Sequence, residues 1–212
     1  KSIKKEINTA AKKITLRYGL IDMNRIITGY LKGNYNDSAD KFETINGDSI
    51  STWNNFNWNS KHYCTSIFIP SEFETKIKSD VKNSIITDSK IHTITHVLVN
   101  ASKILTKSES NDIDAYYENG VIHLFDNTSD GYNGCSKMIY ENFEEIMKTC
   151  FDLINECDCP VDPKQKKAVS EGEEWGGCPK CTFTTNYCQT KNKKLSKNEA
   201  LEFFSIFKRE IK

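Results

Sequence analysis

Five of the chain's 8 cysteines fall between positions 157 and 188: Cys157, Cys159, Cys178, Cys181 and Cys188. They read C-x-C, a long polar loop, C-x-x-C, then a single Cys. Two thiols spaced by two residues let one tight turn present both to a single ion, and zinc fills a tetrahedron with four N or S ligands. The pattern predicts zinc held by four of these five. Cys178 and Cys181 are the firmest pair, and Cys188 follows seven positions later. Cys157 and Cys159 compete for the remaining place, with Cys159, before Pro160, nearer the loop. A closed thiolate shell leaves no position for a substrate water, so the predicted role of the metal is structural. Disulfide bridging is the weaker alternative. The 156 residues before the cluster hold only three cysteines, and no apolar segment of a secretory signal follows the basic opening KSIKKE. A redox C-x-x-C belongs at a strand-to-helix junction, whereas Gly176-Gly177 precede this one. Cys64, Cys135 and Cys150 read as small buried hydrophobes.

Other chemistry is sparse. His92 and His96 stand four apart and could share a metal, but without the Glu of a metalloprotease helix the better expectation is one buried, hydrogen-bonded His and one near an interface. No phosphate loop, dinucleotide fingerprint or nucleophile elbow occurs, so no nucleotide hydrolysis and no small-molecule substrate are expected of this chain. Lys180, Lys191, Lys193, Lys194 and Lys197 surround the cysteine loop and are candidate phosphate contacts, with a solvated rim as the bland alternative. From Glu109 to Asp130 there are six acidic residues and no Lys or Arg.

The elements that must position these groups are legible in part. The chain has 212 residues, with 29 basic and 29 acidic side chains, so bulk charge does not hold it to nucleic acid. No stretch approaches the roughly 18 apolar residues of a membrane span, and no membrane partner is expected. Ile3, Ile7, Ala10, Ala11 and Ile14 suggest helix over 3–31, interrupted near Gly19. Residues 32–60 are rich in Asn, Asp, Ser and Gly and read as irregular, anchored by Trp53 and Trp58. Residues 62–69 read as a strand ended by Pro70. Ser71 and Glu74 form a capping box before Phe73, Ile77, Val81 and Ile85 at helical spacing, and a second helix runs from His92 to Leu105. The run 113–126, with Asn119-Gly120 between β-prone segments, is a strong hairpin signal. A long helix with Ile139, Phe143, Ile146, Met147, Cys150, Phe151 and Ile154 on one stripe leads to Cys157. Ser196 and Glu199 open a last helix that buries Leu201, Phe204, Phe207 and Ile211. The predicted fold is α+β: a small antiparallel sheet packed with amphipathic helices, plus a C-terminal cysteine-ligated zinc module.

From about His92 to Leu201 the chain resembles the MrfA-type zinc-binding domain. That domain ends a family of DNA helicases and also occurs in separate anti-phage proteins such as the DISARM component DrmB. The resemblance rests on an H-T-L-S-H-like helix start (His92-Thr93-Ile94-Thr95-His96) and a D-G-Y-P-G-G-like turn (Asp130-Gly131-Tyr132-Asn133-Gly134-Cys135). After the C-x-C come G-C-P-x-C (Gly177 to Cys181), a further Cys (Cys188) and an N-x-x-L-D-K-like step at Asn192–Lys197. The turn departs from the family pattern, with Asn133 for Pro and Cys135 for Gly, and Ser196 stands where Asp is usual. The resemblance implies a structural zinc and a non-catalytic accessory role beside a helicase or translocase ATPase, as a domain or a separate subunit. It also implies anti-phage defence, a cytoplasmic setting, and DNA as a further partner. It divides the chain into an N-terminal portion 1–90 and a zinc-binding domain 91–212, unless 1–212 is one continuous domain. The competing expectation is a protein-interaction subunit with no nucleic-acid role, docking a partner through the acidic stretch 109–130 and the Trp-containing loop.

Overall fold

The structure is a computed structural model and describes residues 2–8, 13–31, 33–36, 41–44, 50–69, 84–118, 120–159, 178, 180–184 and 195–208. The elements in order are β1 (Ile3–Asn8), β2 (Lys13–Leu31), β3 (Gly33–Asn36), β4 (Lys41–Thr44) and β5 (Ile50–Phe68). Then come α1 (Ser84–Thr106), β6 (Ile113–Glu118), β7 (Val121–Asp126), α2 (Cys135–Glu141), α3 (Phe143–Asn155) and α4 (Lys197–Lys208). The chain is α+β. One five-stranded sheet has the order β1-β2-β5-β7-β6, and β3 pairs with β4 in a separate two-stranded sheet.

The helix expected over 3–31 is instead two strands. β1 and β2 pair antiparallel, with Ile7 opposite Ile14 and Ile3 opposite Tyr18. Ile14, Leu16 and Tyr18 are buried while Lys13 and Arg17 are exposed. That period-2 alternation is the strand signature. The helical spacing of Ile3, Ile7, Ala10, Ala11 and Ile14 masked it. The irregular stretch expected over 32–60 is also corrected, because it holds β3, β4 and most of β5. Its aromatic residues favour the pleated surface despite the Asn-rich surroundings. Trp53 and Trp58 lie on β5, and their side chains are outside the described ones. The Ser71–Glu74 capping box also falls outside the described residues, and Ile85 belongs to α1.

The 113–126 hairpin forms with Ile113 opposite Asp126 and Glu118 opposite Val121, leaving a two-residue connection. Gly120 has φ 82°, the left-handed conformation such a turn demands. Opposite it, β5 pairs antiparallel with β7, Cys64 facing Phe125 and Phe68 facing Val121.

α1 packs against α3, α4, β6 and α2, and α4 packs on α3. The apolar side chains Ile94, Val97, Leu98, Ile122, Leu124, Ile139, Ile146 and Phe204 are almost fully buried between them. α3 alone buries Phe143, Ile146, Met147, Cys150, Phe151 and Ile154 on one face. Each large apolar side chain so buried stabilises by roughly 1.5–3 kcal/mol. The single long helix expected here is two. Asn142 (φ −110°, ψ 32°) interrupts it, and its side-chain amide donates to the Met138 carbonyl at 2.9 Å. Such short polar side chains compete with the helix for its carbonyls.

The turn from β7 into α2 is organised by the buried carboxylate of Asp126. Its Oδ1 accepts Ser136 N–H at 2.6 Å, and its Oδ2 accepts Asn133 N–H and Gly134 N–H at 3.1 Å each. Gly134 enters α2 with φ 84°, which a Cβ would strain. Asn133, where the family pattern has Pro, supplies an N–H that Pro lacks. Its side chain also accepts Cys135 N–H at 3.0 Å and donates to the Asp112 carbonyl at 3.0 Å. His62 Nδ1 donates to the Asp126 carbonyl at 2.8 Å, and Thr65 Oγ1 to the Ser136 carbonyl at 2.6 Å, fixing the turn to β5.

By packing, Lys1–Ile21 and His62–Lys212 form one compact unit and Asp22–Lys61 another. The strands β1 and the first part of β2 therefore share the core of the C-terminal residues. In the smaller unit, Gly33–Asn36 pairs with Lys41–Thr44, and Lys61 Nζ lies 3.9 Å from Asp22 Oδ1.

Candidate metal centre

α3 ends at Asn155, with Glu156 N–H still bonded to the Asp152 carbonyl at 2.9 Å. The chain then runs straight into Cys157 and Cys159. The second pair lies on a tight knuckle. Thr182 N–H and Phe183 N–H both reach the Cys178 carbonyl at 3.0 Å, and Cys178 N–H donates to Thr182 Oγ1 at 2.6 Å. Lys180 N–H points at Cys178 Sγ at 3.3 Å.

The two pairs meet. Cys157 Sγ lies 3.7 Å from Cys178 Sγ, and Cys159 Sγ lies 4.0 Å from Cys181 Sγ. All four sulfurs fall within 4.8 Å of one another. A zinc–thiolate tetrahedron with bonds of about 2.3 Å has sulfur–sulfur edges of about 3.8 Å. A disulfide would bring two sulfurs to about 2.05 Å. The donor set and its spacing fit a tetrahedral soft-ligand ion, and structural zinc is the metal that such a closed four-sulfur set selects. Both Cys157 and Cys159, competitors on sequence, have places in the cluster. Cys188 lies outside the described residues.

Electrostatics within the cluster are uneven. Burial raises the Cys178 thiol, but the N–H groups of Lys180 and Cys181 outweigh it and bring the group down to about 7. Burial drives Cys181 well up, and the neighbouring Cys178 adds to that. Cys159 is raised by burial, against a hydrogen bond from Lys197.

α1 supplies the surface on which the knuckle rests, which sequence reasoning missed. His96 Nδ1 donates to the Thr182 carbonyl at 3.0 Å. Asn100 Nδ2 donates to the Phe183 carbonyl at 2.7 Å, and Thr93 Oγ1 accepts Ser196 N–H at 2.7 Å. Thr93, His96 and Asn100 stand at i, i+3 and i+7, one polar stripe on a largely apolar helix. That spacing is the signal that could have revealed the dock. His92 rests edge-on against His96, ring centroids 4.2 Å apart. Among the described residues, the four cysteines are the one group of three or more donors able to hold an ion, and the histidine pair is not part of it.

His96 carries a pH prediction. Burial first, and then the charge of His92, lower its pKa from 6.5 to about 4. Between those values the unfolded chain binds the proton and the folded chain does not. The stability gained by keeping this ring neutral is complete above pH 6.5 and is lost as pH falls toward 4. Denaturant unfolding measured across that window should weaken with falling pH in the wild type. His96→Gln should show a flatter slope.

The other predicted site residues are placed as follows. Lys180 Nζ lies 3.4 Å from Asp158 Oδ1, with both side chains largely exposed. Lys197 Nζ is turned into the cluster, donating to the Cys157 carbonyl at 2.9 Å and to Cys159 Sγ at 3.0 Å. Lys191, Lys193 and Lys194 lie outside the described residues. Cys150 is fully buried, its S–H facing the Val97 carbonyl at 3.8 Å. Cys64 is buried beside Ser66 and His123, and burial pushes its thiol up to about 12. Cys135 is buried at the start of α2. Of the acidic stretch, Asp126 is wholly buried and engaged. No helix among the described residues is long and apolar enough to cross a membrane.

Residues 94–182 match the family described as the MrfA Zn-binding domain. The fold is similar to the crystal structure of the DUF1998 helicase MrfA bound to DNA, with a TM-score of 0.53 and 15% identity, covering 95% of this chain and 23% of that one. The crystal structure of that helicase bound to DNA and AMPPNP matches with a TM-score of 0.46 and 14% identity, covering 97% of this chain and 22% of that one. The chain thus spans less than a quarter of the length of the helicase chains it resembles. No curated protein matches it.

Proposed function

We infer, from a segment 94–182 that carries the MrfA Zn-binding domain, that this chain is a zinc-stapled, non-catalytic accessory module of a DNA helicase or translocase. It works as a domain of the motor protein or as its separate subunit, in bacterial anti-phage defence. The observation that carries the reading is the cluster of Cys157, Cys159, Cys178 and Cys181, closed on itself, with its knuckle joined to α1 by two hydrogen bonds. In this reading those four thiolates hold the zinc. A four-sulfur shell leaves the ion no open position for substrate, so its contribution is shape. The ion ties the ends of α3 and the knuckle together and presents the exposed residues around them.

DNA contact falls to Lys180 with Lys191, Lys193 and Lys194. The similarity of the fold to a helicase crystallised with DNA supports a position near a nucleic-acid path. Lys197, the fifth candidate, has its ammonium on the Cys157 carbonyl and the Cys159 sulfur. The test is a salt titration of DNA binding by the zinc-loaded chain. Binding should weaken steeply with salt, and Lys180→Glu together with Lys191→Glu should reduce it further. Binding absent at every salt concentration, with helicase co-purification that survives nuclease, would assign the module to protein contact alone.

A further inference from the structure

We propose that Lys197 is a positioning residue of the metal centre: its ammonium caps the Cys159 sulfur and offsets part of the cluster's negative charge. The proposal rests on the four-cysteine zinc reading above. Four thiolates around one divalent ion carry two excess negative charges, and such a charge is costly where water is partly excluded. Hydrogen-bond donors on the sulfurs relieve it. Cys178 has backbone donors, Lys180 N–H at 3.3 Å among them. Cys159 has Lys197, the one charged donor among the described contacts of the four sulfurs.

Lys197 is well placed to hold that position. It is the first residue of α4, whose start is pinned by Ser196 N–H on Thr93 and by the buried Leu195. The same ammonium also grips the Cys157 carbonyl at 2.9 Å, so one side chain bridges both halves of the C-x-C. Cys157 and Cys159 are both partly buried. What separates their sulfurs is the cation on Cys159. A sulfur whose lone pair is engaged by an ammonium is a poorer nucleophile, and α4 thereby becomes a latch on the metal.

The test uses the zinc-loaded wild-type chain and two readouts. In the first, iodoacetamide labels the native protein, the sulfur displacing iodide to form a thioether, and mass spectrometry follows each cysteine. Cys159 should react more slowly than Cys157 in the wild type, and the order should reverse or level in Lys197→Gln. In the second, a chelator extracts zinc from loaded protein. Lys197→Gln should start with the same metal content and release it about tenfold faster or more. Lys197→Arg, which keeps charge and donors, should restore most of the retention. Equal labelling of Cys157 and Cys159 in the wild type, which needs no variant to fold, would overturn the proposal. So would equal zinc release from wild type and Lys197→Gln. A wild-type chain that takes up no zinc would instead overturn the four-cysteine reading, and this proposal with it.

Discussion

Cys178→Ser and Cys181→Ser should each leave the protein without zinc and unfolded beyond α3. The ion is the main means of closing the segment between Cys159 and Cys178, whose residues are largely polar and charged. Apparent binding free energies of structural zinc run to about 10–16 kcal/mol and are folding free energies where no site exists in the unfolded chain. Losing one thiolate of four forfeits most of that. The knuckle then loses its anchor, and the stripe Thr93, His96 and Asn100 loses the carbonyls and N–H it engages. Elemental analysis should read one zinc per wild-type chain and close to none in either variant. Limited proteolysis should cut the variants beyond α3 while leaving the sheet and α1 resistant. A variant that keeps native stability, beside a wild type free of zinc, would remove the metal from the account.

Asp126→Asn should be the most damaging substitution away from the metal. The native carboxylate accepts three backbone N–H groups with no solvent exposure. An amide keeps a single oxygen and turns an NH2 toward donors that need an acceptor. Hydrogen bonds to charged groups contribute about 1.5–3 kcal/mol each, and a buried donor left unpaired costs about 1–3 kcal/mol. The expected loss is about 3 kcal/mol, read as a shift in denaturant midpoint with the slope unchanged. Asp126→Asn should also keep its full zinc content, which separates this turn from the metal centre. A midpoint within about 0.5 kcal/mol of wild type would refute the assignment.

The zinc cluster and the hairpin were legible in the sequence because both are written in short-range code. C-x-x-C and Asn-Gly report geometry over two to four residues, and alternation along 113–126 reports one buried face. α1, α3 and α4 were legible for the same reason, their stripes being contiguous. What escaped is long-range. β1 and β2 are strands because they join a sheet completed by β5, β7 and β6, and Ile14, Leu16 and Tyr18 show the alternation only once the competing helical spacing is set aside. The contest between Cys157 and Cys159 could not be resolved from spacing, since placing both requires knowing how α3 ends. Asp126 looked like one more member of an acidic surface until the turn folded over it. The contacts of Lys197 with the cysteines escaped because they lie 38 and 40 residues away in the chain.

The contacts between α1 and the knuckle join residues 83 and 86 apart, and the link from Thr93 to Ser196 spans 103. Contacts of such separation form late, because loop closure must precede them. On the ribosome, α1 therefore emerges with its polar stripe bare and stays so until Thr182, Phe183 and Ser196 have been made. Metal capture follows the sheet in the order of maturation. A cell short of zinc would accumulate molecules with a finished sheet and an undocked knuckle, a form that quality-control proteases can recognise.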